Sequence, residues 1–302
     1  MKKVLVTGGS GLVGKAIESL SPDFVFLSSK DCDLTDYSQT LELFKKIQPD
    51  VIIHLAACIG GLYKNMNNGI KMLEDNLLIN THVLKAAHLC GVQEIVACLS
   101  SCIFPDGECY LNETMIHNGP PHTSNEGYAY AKRMLEVQCR MYQKKFGRRY
   151  FCIIPTNIYG PHDNFNLEDA HVIPTLIHKC FLAKQNGIPF EVRGTGKPLR
   201  QFIYSIDIAK LILLLLESDT CENVILSSSS EVSILEVAEI INEHFGNVLI
   251  TNPSYSDGQY RKTVDNTKLQ TIVGPDFEFT DLKQGIKTTV QWFIENYDSL
   301  RK

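Results

Sequence analysis

The chain has 302 residues, of which 44% are hydrophobic and 21% are charged, and its formal net charge is −5 at pH 7. This composition is typical of a globular protein with a large buried core, and the negative charge excludes proteins that bind nucleic acid through a basic surface. The longest strongly apolar run, 211–216, is far too short to cross a bilayer. The first residues enter a strand without the layout of a signal peptide, so we expect a cytoplasmic protein.

Ten cysteines and nine histidines are scattered along the chain. No Cys-x-x-Cys pair occurs, and the histidines show no metal-ligand spacing with cysteine or carboxylate. A chain of this length does not belong to the small, disulfide-stapled secreted scaffolds. We therefore expect free thiols in a reducing compartment and no bound metal.

Apolar periodicity predicts an alternation of strands and helices through the first half of the chain. In chain order, the predicted elements are a strand at 3–7, a helix at 12–20, a strand at 23–27, a helix at 37–47, a strand at 51–54, a helix at 70–90, a strand at 94–99, a helix at 127–146 and a strand at 151–154. This order predicts the α/β class, with a Rossmann-type, doubly wound parallel sheet.

Beyond Pro155 the pattern becomes less regular, with frequent Pro, Asn and Gly up to Pro198. A strand at 202–204 and a helix at 206–217 then form one more unit, which we expect to return to the sheet. The prediction is a dinucleotide-binding domain at 1–160, with this return near 201–217. A smaller C-terminal α/β region at 161–302 is expected mainly to bind the substrate.

The first predicted strand leads into a glycine-rich turn. Gly9, Gly11 and Gly14 have the spacing G-x-G-x-x-G, and Gly8 precedes them. In this motif the glycines make a tight turn, let the backbone approach a pyrophosphate and let the helix pack closely on the strand. The free N–H groups and the dipole of the following helix also favour a phosphate. The position of the motif between strand and helix predicts dinucleotide binding.

Two further features suggest proton chemistry at a carbonyl group. Tyr128 and Lys132 are four residues apart on a predicted helix, so they share one face. A phenol with its ordinary pKa of about 10 is a poor acid or base at neutral pH, and a nearby ammonium lowers that pKa. Ser100 follows the strand 94–99, at the edge where doubly wound sheets bind ligands, and its hydroxyl is a candidate donor to the same oxygen. Each feature alone is also common on ordinary helices and turns.

Together these features resemble the extended short-chain dehydrogenase/reductase family. The runs DL at 33–34 and HLAA at 54–57 are similar to that family's pattern. Four other runs resemble the family's bifunctional epimerase-reductases of GDP-linked keto sugars: SSCIFP at 100–105, PTNIYGPHDNF at 155–165, HVIP at 171–174 and WFIEN at 292–296. The likeness extends over essentially the whole chain.

The resemblance implies two half-reactions. Such enzymes reduce a sugar C4 ketone with NADPH: Tyr128 would protonate O4, Lys132 would tune the tyrosine and hold the nicotinamide ribose, and Ser100 would bond to O4. Before reduction, the ketone acidifies the hydrogens on C3 and C5, so a base and an acid can invert both carbons. Cys102 and His171 match the family's positions for those roles, and their ordinary pKa values suit work near neutral pH.

The residues after the second predicted strand bear on the choice of cofactor. NAD enzymes usually carry an acidic residue there, whereas this chain has Ser28, Ser29 and Lys30 before Asp31. Two hydroxyls and a cation suit a 2′-phosphate, so we predict NADP(H). The resemblance implies the following cofactor-binding residues: Gly8, Gly9, Ser10, Gly11, Leu12, Val13, Gly14, Lys30, Asp33, Leu34, Leu55, Ala56, Ala57, Lys132, Pro155, Asn157, Ile158 and His171.

The resemblance also implies a substrate, GDP-4-keto-6-deoxy-D-mannose, and no nucleic-acid or membrane partner. Its implied binding residues are Lys179, Arg193, Arg200 and Asp257. Lys179 stands where some members have arginine, and Arg193 stands where a tryptophan is expected. The helices at 70–90 and 127–146 are expected to form the four-helix interface of a homodimer, as in the family.

Other functions stay open at this point. An NDP-sugar 4,6-dehydratase needs an acid–base carboxylate pair just after the serine, where this chain has SCI at 101–103. A 4-epimerase retains its NAD and needs no thiol–imidazole pair. A dinucleotide-sensing regulator would be expected to lack the tyrosine–lysine pair or the serine. Another nucleotide-linked keto sugar also stays open as substrate, because base recognition is spread over loops.

Overall fold

The computed structural model describes residues 2–255, 257 and 260–300, and for 62–64 it describes the backbone alone. The β-strands, in chain order, are β1 (Val4–Thr7), β2 (Val25–Leu27), β3 (Val51–His54), β4 (Glu94–Cys98), β5 (Tyr110–Leu111), β6 (Arg149–Pro155), β7 (Asn157–Tyr159), β8 (Phe190–Glu191), β9 (Leu199–Tyr204), β10 (Val224–Leu226), β11 (Glu231–Ser233), β12 (Ile250–Thr251) and β13 (Thr263–Val264). The α-helices are α1 (Leu12–Leu20), α2 (Tyr37–Ile47), α3 (Leu62–Asn67), α4 (Gly69–Leu89), α5 (Glu126–Phe146), α6 (Val172–Asn186), α7 (Ser205–Glu217), α8 (Ile234–Glu243), α9 (Thr267–Val273) and α10 (Leu282–Asn296).

Six parallel strands form the central sheet in the order β10-β6-β4-β3-β1-β2. Its inner strands are almost entirely buried and apolar, as expected when helices cover both faces. The strand order reverses between β1 and β3, and ligands bind beside such a reversal at the carboxyl ends of the strands. The predicted α/β class and doubly wound sheet are confirmed.

Helices pack on both faces of this sheet. On one face, α1 and α7 pack against each other and enclose an apolar core with β1, β3 and β6. On the other face, α2, α4 and α5 enclose a second core, in which α5 lies beside α4. The helices that follow the glycine turn and that carry Tyr128 are therefore both anchored on the rigid sheet.

The rest of the chain forms a third apolar core around smaller sheets. The strands β11, β9 and β7 form one sheet, while β8 pairs with β12 and β5 pairs with β13. Helices α6, α8 and α10 supply the other side of this core, with aromatic contacts around Phe293. The residues of this region thus have a packed core of their own.

One expectation needs correction. Helix α7 does pack on the central sheet, but strand β9 before it does not join that sheet. Instead β9 pairs with β7 and β11, and β10 is the strand that returns, alongside β6. Helix α6 was also not predicted, because the frequent Pro, Asn and Gly around it weaken a helical pattern.

Among the described residues, no helix is both long enough and apolar enough to cross a membrane. All ten cysteines are free thiols. Four of them, Cys32, Cys139, Cys152 and Cys180, are buried, whereas Cys102 is only partly buried.

Candidate active site

The turn after β1 leaves no room for side chains. Gly8 has a φ of +73°, and a Cβ atom there would lie 2.8 Å from the backbone N of Ala56. A Cβ atom at Gly14 would lie 2.6 Å from the carbonyl O of Gly8. Helix α1 can therefore approach the turn this closely only with glycine at position 14, which is the packing role that the motif predicts.

The start of helix α1 suits a phosphate. Its N-cap residue is Gly11, and no side chain caps the helix there. The first N–H groups of an α-helix have no partner within the helix, so Leu12 and Val13 present theirs to an anion. Ser10 and Gly11 are exposed, which leaves the approach to these groups open. The residues present thus fit the pyrophosphate of a dinucleotide.

The segment after β3 lies against the end of β1. The backbone N of Leu55 donates to the carbonyl O of Thr7 at 3.1 Å, and the backbone N of Ala56 donates to the Thr7 Oγ1 at 3.3 Å. Ala57 follows them and is partly buried. These three predicted cofactor residues therefore border the glycine turn at the reversal of strand order.

The segment after β6 lies at the same carboxyl edge of the sheet. Pro155 is the last residue of β6, and Asn157 and Ile158 begin β7. The side-chain amide of Asn157 donates to the carbonyl O of Gln201 at 2.9 Å, which joins β7 to β9. Asn157 thus helps to hold the second half of the chain against the cofactor edge.

The loop after β2 differs from the sequence-based expectation. The Asp31 carboxylate accepts hydrogen bonds from both the backbone N and the Oγ of Ser28, each at 2.7 Å, and these bonds lower the pKa of Asp31. A hydroxyl has one hydrogen to donate, so Ser28 is not the free donor that we expected for a 2′-phosphate. Lys30 is exposed on this loop and supplies a positive charge that could bind a 2′-phosphate.

Asp33 and Leu34 have internal contacts of their own. The Asp33 Oδ1 accepts from the backbone N and the Oγ1 of Thr35, at 2.9 and 2.7 Å, which lowers the pKa of Asp33. Leu34 is buried in the apolar core beneath α2 and α4. Asp33 thus shapes the turn before α2, and Leu34 anchors that turn in the core.

Helix α5 places Tyr128 and Lys132 beside the end of β4. Lys132 is only 1% exposed. Its Nζ donates to the carbonyl O of Cys98 at 2.7 Å and lies 5.7 Å from the centre of the Tyr128 ring. Ser100 follows β4, and its Oγ accepts from the backbone N of Cys102 at 3.4 Å. The structure therefore brings Ser100, Cys102, Tyr128 and Lys132 together.

The proton affinity of Tyr128 differs from the expectation. Burial raises its pKa well above the ordinary value, and three nearby thiols act in the same direction: those of Cys102, Cys98 and Cys58. Burial also lowers the pKa of Lys132. The effect of burial therefore outweighs that of the neighbouring ammonium, and the phenol keeps its proton at neutral pH.

Cys102 lies between several polar groups, one of which the sequence did not indicate. Burial raises its pKa, whereas a hydrogen bond with Ser100 and the charges of Lys262 and Lys132 lower it. Lys262, just before β13, is close to both Cys102 and Arg200, and burial lowers its pKa. The one signal for Lys262 in the sequence is the basic pair at 261–262, which is equally typical of a surface loop.

His171 lies at the N-terminus of α6 and lines a cavity of about 320 Å³. The residue as a whole is exposed, but desolvation by the protein around it lowers the pKa of the imidazole, which is therefore neutral near pH 7. Lys179 and Arg193 line the same cavity. The backbone N of Gly61, another lining residue, donates to the carbonyl O of Asp169 at 2.7 Å, which holds the loop after β3 next to the His171 segment.

The two cations of this cavity converge on one carboxylate. The Glu191 Oε1 lies 3.5 Å from the Lys179 Nζ and 3.1 Å from the Arg193 Nε. The guanidinium of Arg193 also lies 4.9 Å from the centre of the Tyr255 ring. Burial and the charge of Arg193 lower the pKa of Lys179, in that order of size. Both cations are therefore held in place, with Glu191 offsetting part of their charge.

Asp257 and Arg200 are also engaged with the protein. The two Asp257 oxygens accept from the backbone N and the Oγ1 of Thr195, at 2.7 and 2.6 Å. A Cβ atom at Gly194, whose φ is +76°, would lie 2.4 Å from the Asp257 Oδ1. The Nη1 of Arg200 donates to the carbonyl O of Leu199 at 2.7 Å. Asp257 thus shapes the turn at 194–195, and Arg200 lies near Lys262 rather than among the residues that line the His171 cavity.

A buried polar chain links the glycine turn to helix α5. The Thr7 Oγ1 and the His54 Nδ1 are 2.8 Å apart, and the His54 Nε2 is 3.1 Å from the Asn80 Oδ1. The Asn80 amide donates in turn to the carbonyl O of Ala131 on α5, at 3.4 Å. Thr7, His54 and Asn80 are wholly buried. This chain fixes α5 relative to β1 and β3.

Two further observations define the limits of the site. Within the described residues there is no group of three or more His, Cys, Asp and Glu side chains that could hold a metal ion. A larger cavity of about 630 Å³ lies beside α8 and the start of α10, and none of the predicted site residues lines it.

Comparisons with known proteins point to one class of enzyme. The model for the NAD dependent epimerase/dehydratase family matches residues 4–225. A GDP-L-fucose synthase from Dictyostelium discoideum is 50% identical over 100% of this chain and 98% of its own length. A probable GDP-L-fucose synthase from Drosophila melanogaster is 49% identical over 100% of both chains. The crystal structure of a GDP-L-fucose synthetase from Naegleria fowleri bound to NADP has a TM-score of 0.95 and 44% identity, covering 100% of this chain and 95% of that one.

Proposed function

The chain belongs to the NAD dependent epimerase/dehydratase family, and we propose that it uses NADPH to convert GDP-4-keto-6-deoxy-D-mannose to GDP-L-fucose. The reaction inverts C3 and C5 and then reduces C4. The observation that carries this proposal is the grouping of Ser100, Cys102, Tyr128 and Lys132 beside the end of β4, because it offers groups for both half-reactions. The names of relatives that are 49 and 50% identical over the whole chain support it.

The cofactor is NADP(H), as in the Naegleria relative. The glycine turn and the uncapped start of α1 would hold the pyrophosphate, and the exposed Lys30 would bind the 2′-phosphate. Residues 1–160 mainly bind the cofactor, and residues 161–302 mainly bind the substrate.

Reduction at C4 requires proton donors at O4 that are protonated at neutral pH. When bound, NADPH supplies the hydride. Tyr128 has a raised pKa and is protonated at neutral pH, so it acts as the general acid at O4. Ser100 donates its one hydroxyl hydrogen to O4 in place of the Cys102 sulfur. Lys132 would hold the nicotinamide ribose, and it supplies positive charge beside the phenol as the proton leaves.

Inversion at C3 and C5 uses Cys102 and His171. The raised pKa of Cys102 keeps a proton on its sulfur, and the lowered pKa of His171 keeps the imidazole neutral. The pair therefore holds one acidic proton and one basic nitrogen, which is what removal and return of a proton require. Lys262 and Lys132 stabilise the thiolate that forms when Cys102 gives up its proton.

The diphosphate of the substrate needs cations, and the second half of the chain provides them. Lys179 and Arg193 lie in the His171 cavity, and Arg200 and Lys262 lie near Cys102. We infer that the diphosphate is bound by cations from one or both of these pairs. The lysine at 179 acts as a point charge, where a bidentate arginine would fix two oxygens.

The enzyme is a homodimer formed through α4 and α5. These helices pack side by side and expose apolar side chains, among them Leu78, Leu89, Met134 and Met141. Apolar side chains on two adjacent helices are typical of a contact between subunits. Light scattering at micromolar protein concentration would give the mass of a monomer if this part of the proposal is wrong.

The direct test is the reaction itself. The purified protein is mixed with GDP-4-keto-6-deoxy-D-mannose and NADPH, and cofactor oxidation is followed by absorbance while NMR identifies the product. We expect GDP-L-fucose. A product reduced at C4 with unaltered C3 and C5 would indicate a simple 4-reductase, and no oxidation of NADPH would contradict the proposal as a whole.

A further inference from the structure

Arg133 is a buried cation next to the catalytic lysine, and it has no role in the reaction as described so far. It follows Lys132 on α5 and is 4% exposed. Burying a guanidinium costs several kcal/mol unless its donors are satisfied. In the described part of the chain, no carboxylate forms an ion pair with Arg133, and its Nη2 has no hydrogen-bond partner. We therefore expect Arg133 to have a role that offsets the cost of burying its charge.

The hydrogen bonds of Arg133 join two segments beside Cys102. Its Nε donates to the carbonyl O of Ile103, and its Nη1 donates to the carbonyl O of Gly119, each at 2.7 Å. Ile103 ends the short 3₁₀ turn 101–103, whose middle residue is Cys102. The second segment already lies alongside the first, since Pro105 and Pro121 form an isolated β-bridge. Arg133 therefore clamps the turn that carries the thiol.

The other catalytic groups have further anchors of their own on the central sheet. Ser100 follows directly after Leu99, whose backbone N donates to the carbonyl O of Ile153 in the sheet. Lys132 is fixed by its bond to the carbonyl O of Cys98. The position of the Cys102 sulfur, by contrast, depends on a turn closed by weak 3₁₀ bonds, among them the 3.5 Å bond from the Phe104 N to the Ser101 O.

We propose that Arg133 is a positioning residue for the inversion of C3 and C5, and that it acts by holding the turn that carries Cys102. This inference rests on the proposed function. Loss of the clamp displaces the sulfur while leaving Ser100, Tyr128 and Lys132 in place.

The test separates the two half-reactions in one protein. Arg133→Met is compared with the unmodified protein for deuterium uptake at C3 and C5 of GDP-4-keto-6-deoxy-D-mannose in D₂O, and separately for NADPH oxidation. We expect uptake to fall about 100-fold, the effect of a misplacement of roughly 1 Å. Reduction continues, and product with unaltered C3 and C5 accumulates.

Two other variants control the result. Arg133→Lys keeps the positive charge but loses the two guanidinium donors that bind the carbonyl groups of Ile103 and Gly119. Deuterium uptake at C3 and C5 should therefore also fall in this variant, which separates the effect of hydrogen bonding from that of charge. It also provides the same readout if Arg133→Met does not fold, as judged by thermal unfolding. Arg140→Met removes a half-exposed arginine, paired with Glu136, from the same helix and should leave both rates unchanged.

The measurements on these variants either support or overturn the proposed role of Arg133. A wild-type ratio of inverted to non-inverted product in Arg133→Met and Arg133→Lys, or an equal fall of both rates, overturns the role of Arg133. If the unmodified protein itself neither exchanges deuterium nor oxidises NADPH, the proposed function fails and not the inference about Arg133 alone.

Discussion

The Nζ of Lys132 donates a hydrogen bond to the carbonyl O of Cys98, at the end of strand β4. This bond anchors the ammonium on the sheet, so its distance from the Tyr128 ring, 5.7 Å to the ring centre, is set by the rigid core. The arrangement explains how a lysine that is 1% exposed stays beside the phenol without an ion pair to a carboxylate in the described residues. It also shows why the tyrosine–lysine spacing in the sequence is informative only together with a strand that ends beside it.

Removing the phenol oxygen should abolish most of the reduction. In Tyr128→Phe, the loss of a positioned general acid should lower the rate of NADPH oxidation about 10²- to 10⁴-fold. The ring packing is retained, so the dissociation constant of NADPH, measured by fluorescence, should not change. Tyr130→Phe, two residues along the same helix, is the matched control. Wild-type turnover in Tyr128→Phe would remove this residue from the mechanism.

Replacing the thiol should separate the two half-reactions. Cys102→Ser should lose inversion but still reduce the keto sugar, because Ser100, Tyr128 and Lys132 are intact. The product, analysed by NMR, should have unaltered C3 and C5, and deuterium uptake at those carbons should fall.

His171→Asn should impair the same proton transfers, with an added loss of substrate affinity if the ring also contacts the sugar.

For the Cys102→Ser prediction, Cys109→Ser, at an exposed thiol, is the control for the loss of a cysteine. Normal deuterium uptake and normal synthesis of GDP-L-fucose in Cys102→Ser would show that the thiol only packs.

Much of the fold follows from local patterns, whereas parts of the site do not. The bounds of α1, α2 and β3 agree with the prediction because each has a clear apolar period or run. The sheet that β9 joins depends on pairing with β7 and β11, which local periodicity does not encode.

The same distinction applies to side chains. Lys262 is 160 residues from Cys102 in the sequence, and the two meet only through the fold. The donor role expected of Ser28 was wrong because its hydroxyl already donates a hydrogen bond to the carboxylate of Asp31, three residues away. The raised pKa of Tyr128 could not be predicted either, since it depends mainly on burial.

A charge reversal on the loop after β2 should change the cofactor preference. The unmodified protein should have a higher kcat/KM with NADPH than with NADH. In Lys30→Glu the value for NADPH should fall about 10- to 100-fold, because a hydrogen bond to a charged group contributes roughly 1.5–3 kcal/mol. Lys46→Glu, an exposed residue at the end of α2, controls for net charge. Equal kcat/KM for the two cofactors in the unmodified protein would contradict the predicted role of Lys30.

The buried His54 should make the protein less stable in acid. Burial, with a further contribution from the charge of Lys132, lowers the pKa of His54 from its ordinary 6.5 to about 3. Below pH 6.5 the unfolded chain therefore takes up a proton that the folded chain does not take up until about pH 3. The stability contributed by a neutral His54 is present above the unfolded pKa and is lost as the pH falls, by about 1.4 kcal/mol for each pH unit.

Urea unfolding from about pH 7.5 to about pH 5 measures this loss, with His54→Gln as the comparison. Glutamine lacks the titrating ring but offers hydrogen-bonding groups for Thr7 and Asn80, the two partners of His54. His171 and His162 also have lowered pKa values and titrate in both proteins, so the difference between the two curves isolates His54. We expect the variant to be less stable at neutral pH but to have a shallower loss of stability in acid. Parallel curves would mean that His54 takes up its proton in the folded state as readily as in the unfolded chain.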